Sequence, residues 1–447
     1  MRLPGRIAAA IEVLTDVETR RRPVTDALKD WGASHRFAGS KDRLAIGDLV
    51  YDALRTRASS AYAFGEDSAK AAVLASAFRD AGSVAQAKSE FTGGEHAPEM
   101  SDSDWAALNP AARAERLKSA PPHVLGDYPE WLEPHLTRIY GDARAEEGAA
   151  LAQRPSLDLR ANALLCSRKD VADGLAENPA IDAAGEGALR PAPFTTHGVR
   201  LSPELAARRF APTATPEFLK GWFEVQDEGS QLSVALSGAK AGMQVVDLCA
   251  GGGGKTLALA AQMENKGQIY AFDVDAKRLA RAFERLERAN ARNVQMRFPK
   301  AGGGELDDLS VRMDIVFVDA PCTGAGVWRR NPDAKWRVRP GALEQRRKEQ
   351  SQVLERAAGL VKPGGRIVYV TCSLLMEENE DQIAAFLTAH PDFSPLSAAG
   401  VVMETLDDKR AAALLEALKL APDATAIRLS PLRTQTDGFF VAVLEKG

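Results

Sequence analysis

The chain has 447 residues, a net charge of −4, 45% apolar and 26% charged residues. That composition is globular and soluble, and the length exceeds one ordinary domain, so two or three are expected. Bulk charge predicts no attraction to nucleic acid, no apolar run reaches a membrane span, and Glu12 interrupts the early apolar stretch that would mimic a signal peptide.

Residues 1 to about 140 read as helical. Ile7, Ile11 and Leu14 recur at helical spacing, as do Ile46, Leu49, Val50 and Leu54. Polar Thr92 to Asp104, with Gly93, Gly94 and Pro98, reads as a loop. This block carries a basic cluster, Arg20-Arg21-Arg22 followed by His35, Arg36, Lys41 and Arg43. Such a cluster is either a solvated face or an RNA grip. Residues 141–229 form a second, small α+β block, with a strand at Leu157-Asp158-Leu159-Arg160 and a loop at Phe210-Ala211-Pro212-Thr213.

From residue 230 to 447 strands alternate with helices, the pattern of a parallel sheet. Val245 to Leu248 reads as a strand; Cys249-Ala250-Gly251-Gly252-Gly253-Gly254-Lys255-Thr256 follows, then the helical Leu257 to Ala261. Strand, glycine loop and helix open a nucleotide-binding unit, because backbone without side chains lets a ligand approach closely. A Walker loop would need glycine at position 249, which is cysteine, and the GxGxxG spacing counted from Gly251 ends on Thr256. A tight turn is the alternative reading of the loop. The next strand, Ile269 to Phe272, ends at Asp273, 18 residues past Lys255. An acid near that spacing holds a ribose hydroxyl pair in such folds. Asp275 is the competing choice, and a charged helix over Lys277 to Arg288 follows.

Two β-branched runs, Ile315 to Val318 and Ile367 to Val370, read as buried parallel strands. The first leads to Asp319-Ala320-Pro321-Cys322 and the second to Thr371-Cys372-Ser373. Ligands sit outside the carboxyl ends of such strands, so both thiols are expected in one crevice. After Cys322, Trp328 and Trp336 are interleaved with Arg329, Arg330, Lys335, Arg337 and Arg339. Aromatic planes beside cations suggest base stacking with phosphate contacts. Ala426 to Leu429 and Gly438 to Val443 make an antiparallel strand pair at the end. The four cysteines form no CxxC pair and the six histidines lie outside the motifs. Neither a metal site nor a disulfide framework is predicted, and reduced thiols imply a cytoplasmic protein.

Taken together, Cys249 to Lys255, Asp319 to Cys322, Arg330-Asn331-Pro332-Asp333-Ala334-Lys335-Trp336, and Thr371-Cys372-Ser373 with Glu377-Glu378-Asn379 resemble the RsmB/Sun family of RNA (cytosine-5)-methyltransferases. Val225-Gln226-Asp227-Glu228 and Asp437-Gly438-Phe439-Phe440 fit the same family. The resemblance covers the whole chain. It implies a NusB-like helical RNA-binding domain over 1–140, a small α+β connecting domain over 141–229, and a class I, Rossmann-like α/β methyltransferase domain over 230–447. S-adenosylmethionine is the implied donor and a cytidine of 16S ribosomal RNA, or its small-subunit precursor, the acceptor, with the enzyme a monomer. Cys249, Ala250, Gly251, Gly252, Gly253, Gly254, Lys255 and Asp273 would hold the cofactor. Asp319 would lie between cofactor and base, Cys372 would be the nucleophile, and Cys322 would assist breakdown of the adduct. Two departures stand out. The family's Ala-Pro-Gly-Gly reads Ala250-Gly251-Gly252-Gly253 here, and the carboxylate expected after the third strand is missing from Arg297-Phe298-Pro299-Lys300. A transfer-RNA methyltransferase and a non-catalytic ribosome assembly factor are the alternatives.

The chemistry explains why cysteine is needed. Carbon 5 of cytosine is a poor nucleophile until a thiolate adds at carbon 6 and makes an enamine, whose carbon 5 can then take the methyl from a sulfonium sulfur, leaving the thioether behind. Loss of the carbon-5 proton and elimination of the thiol then release product, a division of one hard step into easier ones. Each cysteine alone could equally be a buried small apolar residue.

Overall fold

Ile7, Ala10, Leu14 and Val17 recur every three or four residues and put one buried stripe on helix α1 (Leu3–Arg20). The computed structural model describes residues 1–447 apart from 93, 95, 186, 208 and 209, with backbone alone at 206 and 207. The chain divides into two compact units, one of residues 1–153 with 328–339, the other of 154–327 with 340–447.

In the helical unit, α1 is followed by α2 (Val24–Ser34), α3 (Ser40–Arg55), α4 (Arg57–Phe64) and α5 (Ala69–Ala77). Ile46, Val50 and Leu54 of α3 share a core with the α1 stripe and with Val73 and Leu74 of α5; Ile11 and Leu49 pack at its margin. Of the expected loop from Thr92 to Asp104, the described residues up to Ser101 are in neither helix nor strand and a helix begins at Asp102; Gly93 and Glu95 lie outside the described residues. In the basic run at the end of α1, Arg22 pairs with Asp16 and Asp30 and Arg20 with Asp16.

Residues 328–339 correct a reading of the sequence. Trp328, Arg329 and Lys335 are buried in the helical unit rather than presented to a ligand. The Trp336 indole donates to the carbonyl of Leu54 at 2.7 Å, and the Lys335 ammonium to that of Arg55 at 3.2 Å. Those carbonyls end α3 and have no partner within their own helix, so the segment caps it. Arg55 donates in turn to the carbonyl of Arg329, and Arg337 pairs with Asp333 at 3.0 Å. Burial pulls the Lys335 ammonium down to about 8. Trp328, Arg329, Lys335 and the Trp336 indole thus serve packing and capping here, while Arg337 and Arg339 stay exposed.

The second unit contains two sheets. Strands β1 (Leu157–Ala161), β2 (Leu189–Pro191), β3 (Gly198–Leu201) and β4 (Phe223–Val225) form a small antiparallel sheet in the order β2-β3-β1-β4. Arg200 of β3 forks onto Asp158 of β1 at 2.7 and 2.8 Å and reaches Glu228 at 3.2 Å. Glu228 also accepts the backbone N–H of Phe194 at 2.6 Å and of Thr195 at 3.0 Å. This buried triad ties the small sheet to the helix Glu228–Ala235.

The larger sheet holds β5 (Gln244–Asp247), β6 (Gln268–Phe272), β7 (Val294–Arg297), β8 (Met313–Asp319), β9 (Val361–Thr371), β10 (Phe393–Pro395), β11 (Ala426–Leu429) and β12 (Phe439–Lys446). Its order is β10-β12-β9-β8-β5-β6-β7, with β11 beside β12. Strands β9, β8, β5, β6 and β7 are parallel; β12 runs antiparallel to β9, and β10 and β11 antiparallel to β12. Order reverses at β5, from which the chain runs outward through β6 and β7 and then returns to β8. The crevice at that switch is where such sheets take ligands. The charged stretch expected as one helix after Asp273 is two, Ala276–Ala280 and Ala282–Arg288.

Candidate active site

Strand β5 delivers the glycine loop. Gly251 and Gly253 adopt φ of +53° and +82°, and Gly253 caps the helix Gly254–Gln262. A Cβ at Gly253 would lie 2.8 Å from that of Ala282, so the loop needs glycine there both for conformation and for space. Asp273, at the end of β6, is buried and accepts the N–H of Gly251 and of Asp275, each at 2.8 Å. Its carboxylate has lone pairs left over for a ribose. Asp275 instead caps the next helix, accepting from Lys277 and Arg278 at 2.9 and 3.1 Å.

Strands β8 and β9 are parallel neighbours, and the segments leaving them bring the two thiols together. Cys322 Sγ and Cys372 Sγ are 3.4 Å apart. Asp319, at the end of β8, pairs with Lys255 of the glycine loop at 2.7 Å, so the loop and the cysteine strands meet directly. The Lys255 ammonium is raised by Asp319 and Cys372 against the opposing effect of burial. The neighbouring Cys372 thiol, burial and Glu378 push the Cys322 thiol well up. Burial and the acids around it push Cys249 up as well. The expected residues of the crevice are therefore assembled in one place: loop, Asp273, Asp319 and both cysteines.

Residues 235–445 match the family of 16S rRNA methyltransferases RsmB/F. Over these residues the chain is similar to the RsmB/F family. Ribosomal RNA small subunit methyltransferase B of Yersinia pseudotuberculosis is 35% identical over 281 residues, 62% of this chain and 61% of its own. The matched stretch spans about three fifths of the length of the curated relatives. Among solved structures, a methyltransferase homolog protein from Pyrococcus horikoshii aligns with TM-score 0.56 and 28% identity over 73% of this chain and 98% of its own.

Within this matched stretch, Glu378 is a residue whose part the sequence did not disclose. It was visible only as a member of a motif. Its Oε1 accepts the N–H of Thr323 at 2.8 Å and the Gln350 amide at 3.1 Å; its Oε2 accepts the hydroxyls of Thr323 and Ser373. Thr323 follows Cys322 and Ser373 follows Cys372, so one buried carboxylate holds both cysteine loops. Gln350 also donates to the Pro321 carbonyl at 2.8 Å. Asn379 completes the support, accepting from Thr371 at 2.5 Å and donating to the Ser373 carbonyl at 2.9 Å. The stretches at 227 and 437 also converge: Asp227 accepts the N–H of Asp437 at 3.1 Å, and Gly438 donates to the carbonyl of Gly326, whose N–H reaches the Cys372 carbonyl at 2.9 Å.

Behind the glycine loop, Asp247 is fully buried; one oxygen accepts the Thr256 hydroxyl at 2.6 Å and the other has no partner among the described residues. Burial pushes this carboxyl up to about 7. No carboxylate stands at Arg297 to Lys300; instead Phe298 stacks on Phe283 with ring centres 6.0 Å apart.

Proposed function

We propose that this protein methylates carbon 5 of a cytidine in 16S ribosomal RNA, using S-adenosylmethionine and a covalent cysteine adduct. The observation that carries the reading is the thiol pair at 3.4 Å, set at the ends of adjacent parallel strands and joined to the glycine loop through Lys255 and Asp319. The residues fit the cofactor. Gly251 to Gly253 leave backbone open to close approach, and Asp273 keeps acceptors for ribose hydroxyls. S-adenosylmethionine supplies an electrophilic methyl group on a sulfonium sulfur.

Cys372 attacks carbon 6 of the base as thiolate, and electron density moves to carbon 5. Lys255, paired with Asp319 at 2.7 Å, sets a positive charge in the same crevice. Asp319 accepts a hydrogen bond at the N3/N4 edge of the ring and steadies the adduct. Cys322, held protonated beside Cys372, assists the elimination that re-forms the Cys372 thiol once carbon 5 has lost its proton. The helical unit acts as an RNA grip. Incubating purified protein and S-adenosylmethionine with 16S ribosomal RNA, then sequencing after bisulfite, tests the reading: one protected cytidine is expected, and none would refute it.

A further inference from the structure

We infer that a cavity beside the small sheet binds a phosphate group, and that the phosphate belongs to the backbone of single-stranded RNA. The second half of this inference rests on the RNA-substrate reading above; the first does not.

The cavity holds about 750 Å³ and lies between the end of β1, the loop 195–197, the helices Glu228–Ala235 and Gly254–Gln262, and residues 404–407. Ala161, Leu164, Val234 and Ala258 give it an apolar flank. Arg160 of β1 lines it and is only 6% exposed. Among the described residues its guanidinium makes a single hydrogen bond, from Nε to Gln226 Oε1 at 2.7 Å, and no ion pair. A buried cation is ordinarily paired, because leaving water costs several kcal/mol and a nearby anion recovers it. Burial accordingly pulls this guanidinium down to about 10.

The carboxylates nearby are already taken. Glu224 sits across the β1–β4 register from Arg160 but is shared by Arg285, at 2.9 Å, and Arg288. On the cavity wall Glu264 pairs with Lys266 at 2.7 Å, Glu404 with Arg366 at 3.0 Å, and Asp407 with Arg410. Lys240, 3.8 Å from Glu404, and His197, held toward its neutral form by burial, line the same wall. What remains is a guanidinium with no ion pair of its own, offset only by the field of a Glu224 already shared with two arginines, on the wall of a half-open cavity. Its planar fork of donors matches phosphate oxygens, and the volume admits a phosphate with flanking sugar. The site is distinct from the methyl-transfer crevice. Helix Gly254–Gln262 has its first residue in the glycine loop and its last on the cavity, roughly 12 Å apart by helical rise.

The test measures binding of a fluorescent single-stranded oligoribonucleotide to the full-length protein across about 50 to 200 mM salt, with Arg160→Gln and Ala235→Phe as variants. Ala235→Phe fills the cavity from a half-buried wall position and leaves Arg160 in place, so it decides the question if Arg160→Gln folds poorly. Each variant should bind about tenfold more weakly at low salt. Each should also lose about 0.7 from the log–log salt slope, the share of one phosphate on a single strand, so that its affinity falls about 2.6-fold less across the series. S-adenosylmethionine affinity should not change. In a second arm, inorganic phosphate should raise the melting temperature of the wild type and of neither variant. Unchanged salt slopes with a lost phosphate response would keep the anion site and assign it to a free phosphate. A wild type that binds no RNA yet responds to phosphate through Arg160 would sink the RNA reading and leave the cavity site standing. Variants that match the wild type in both arms would overturn the inference.

Discussion

Replacing Glu378 by alanine should loosen both cysteine loops at once. The carboxylate takes four donors from three segments, and all of its lone pairs are in use. In Glu378→Ala the hydroxyls of Thr323 and Ser373 can turn toward other acceptors. The Thr323 N–H and the Gln350 amide cannot, and each buried orphan donor costs about 1–3 kcal/mol. The loss is then roughly 4 kcal/mol, which for a domain of this size lowers the melting temperature by about 8–16 °C. Glu378→Gln keeps one acceptor and lets the hydroxyls reverse their roles, so it should lie well between alanine and wild type. Calorimetry gives the stability, and titration with a thiol reagent reports how freely Cys322 and Cys372 react. A melting point within about 2 °C of wild type, with thiol reactivity unchanged, would show that the carboxylate does not hold the loops.

Three further outcomes are expected. Asp273→Ala should weaken S-adenosylmethionine binding about tenfold to a hundredfold by titration calorimetry, since a charged hydrogen bond to the ribose and the tether on Gly251 are both lost; an unchanged affinity would move the ribose contact elsewhere. Asp247 carries a folded-state pKa raised to about 7, so it holds a proton that the unfolded chain has released between about pH 4 and 7. Its contribution is complete below that window and is lost as pH rises through it; Asp247→Asn should reduce the fall in stability across the window, with Glu228, also raised to about 7 by burial, supplying the rest. Arg200→Met should destabilise the second unit by about 3–5 kcal/mol in denaturant unfolding, because it strands Asp158 and Glu228 in the interior.

The parallel strands were legible because buried β-branched runs have few other uses, and Val245 to Leu248, Ile269 to Phe272, Ile315 to Val318 and Ile367 to Val370 all fall on strands of one sheet to within a residue. The glycine loop, Asp273 and both cysteines were legible because each follows such a strand directly, and the fold gathers strand ends. The role of residues 328–339 was not. A tryptophan capping a helix and a tryptophan stacking on a base leave the same trace in sequence, and only the carbonyls of Leu54 and Arg55, far away in the chain, separate the two. Glu378 was hidden for a related reason: its four donors come from three separated segments. Strands β2, β3 and β4 are three or four residues long, too short for alternation to rise above chance.

The most direct test of the proposed chemistry is a denaturing gel of protein mixed with labelled 16S ribosomal RNA and S-adenosylmethionine, run for the two cysteine variants side by side. Cys372→Ala should give no methylation and no slow band, because no thiolate adds to carbon 6. Cys322→Ala should give a slow, protein-linked RNA band, since attack and methyl transfer proceed while elimination stalls. A slow band from Cys372→Ala with none from Cys322→Ala would reverse the two roles, and no covalent complex from either would contradict the adduct mechanism.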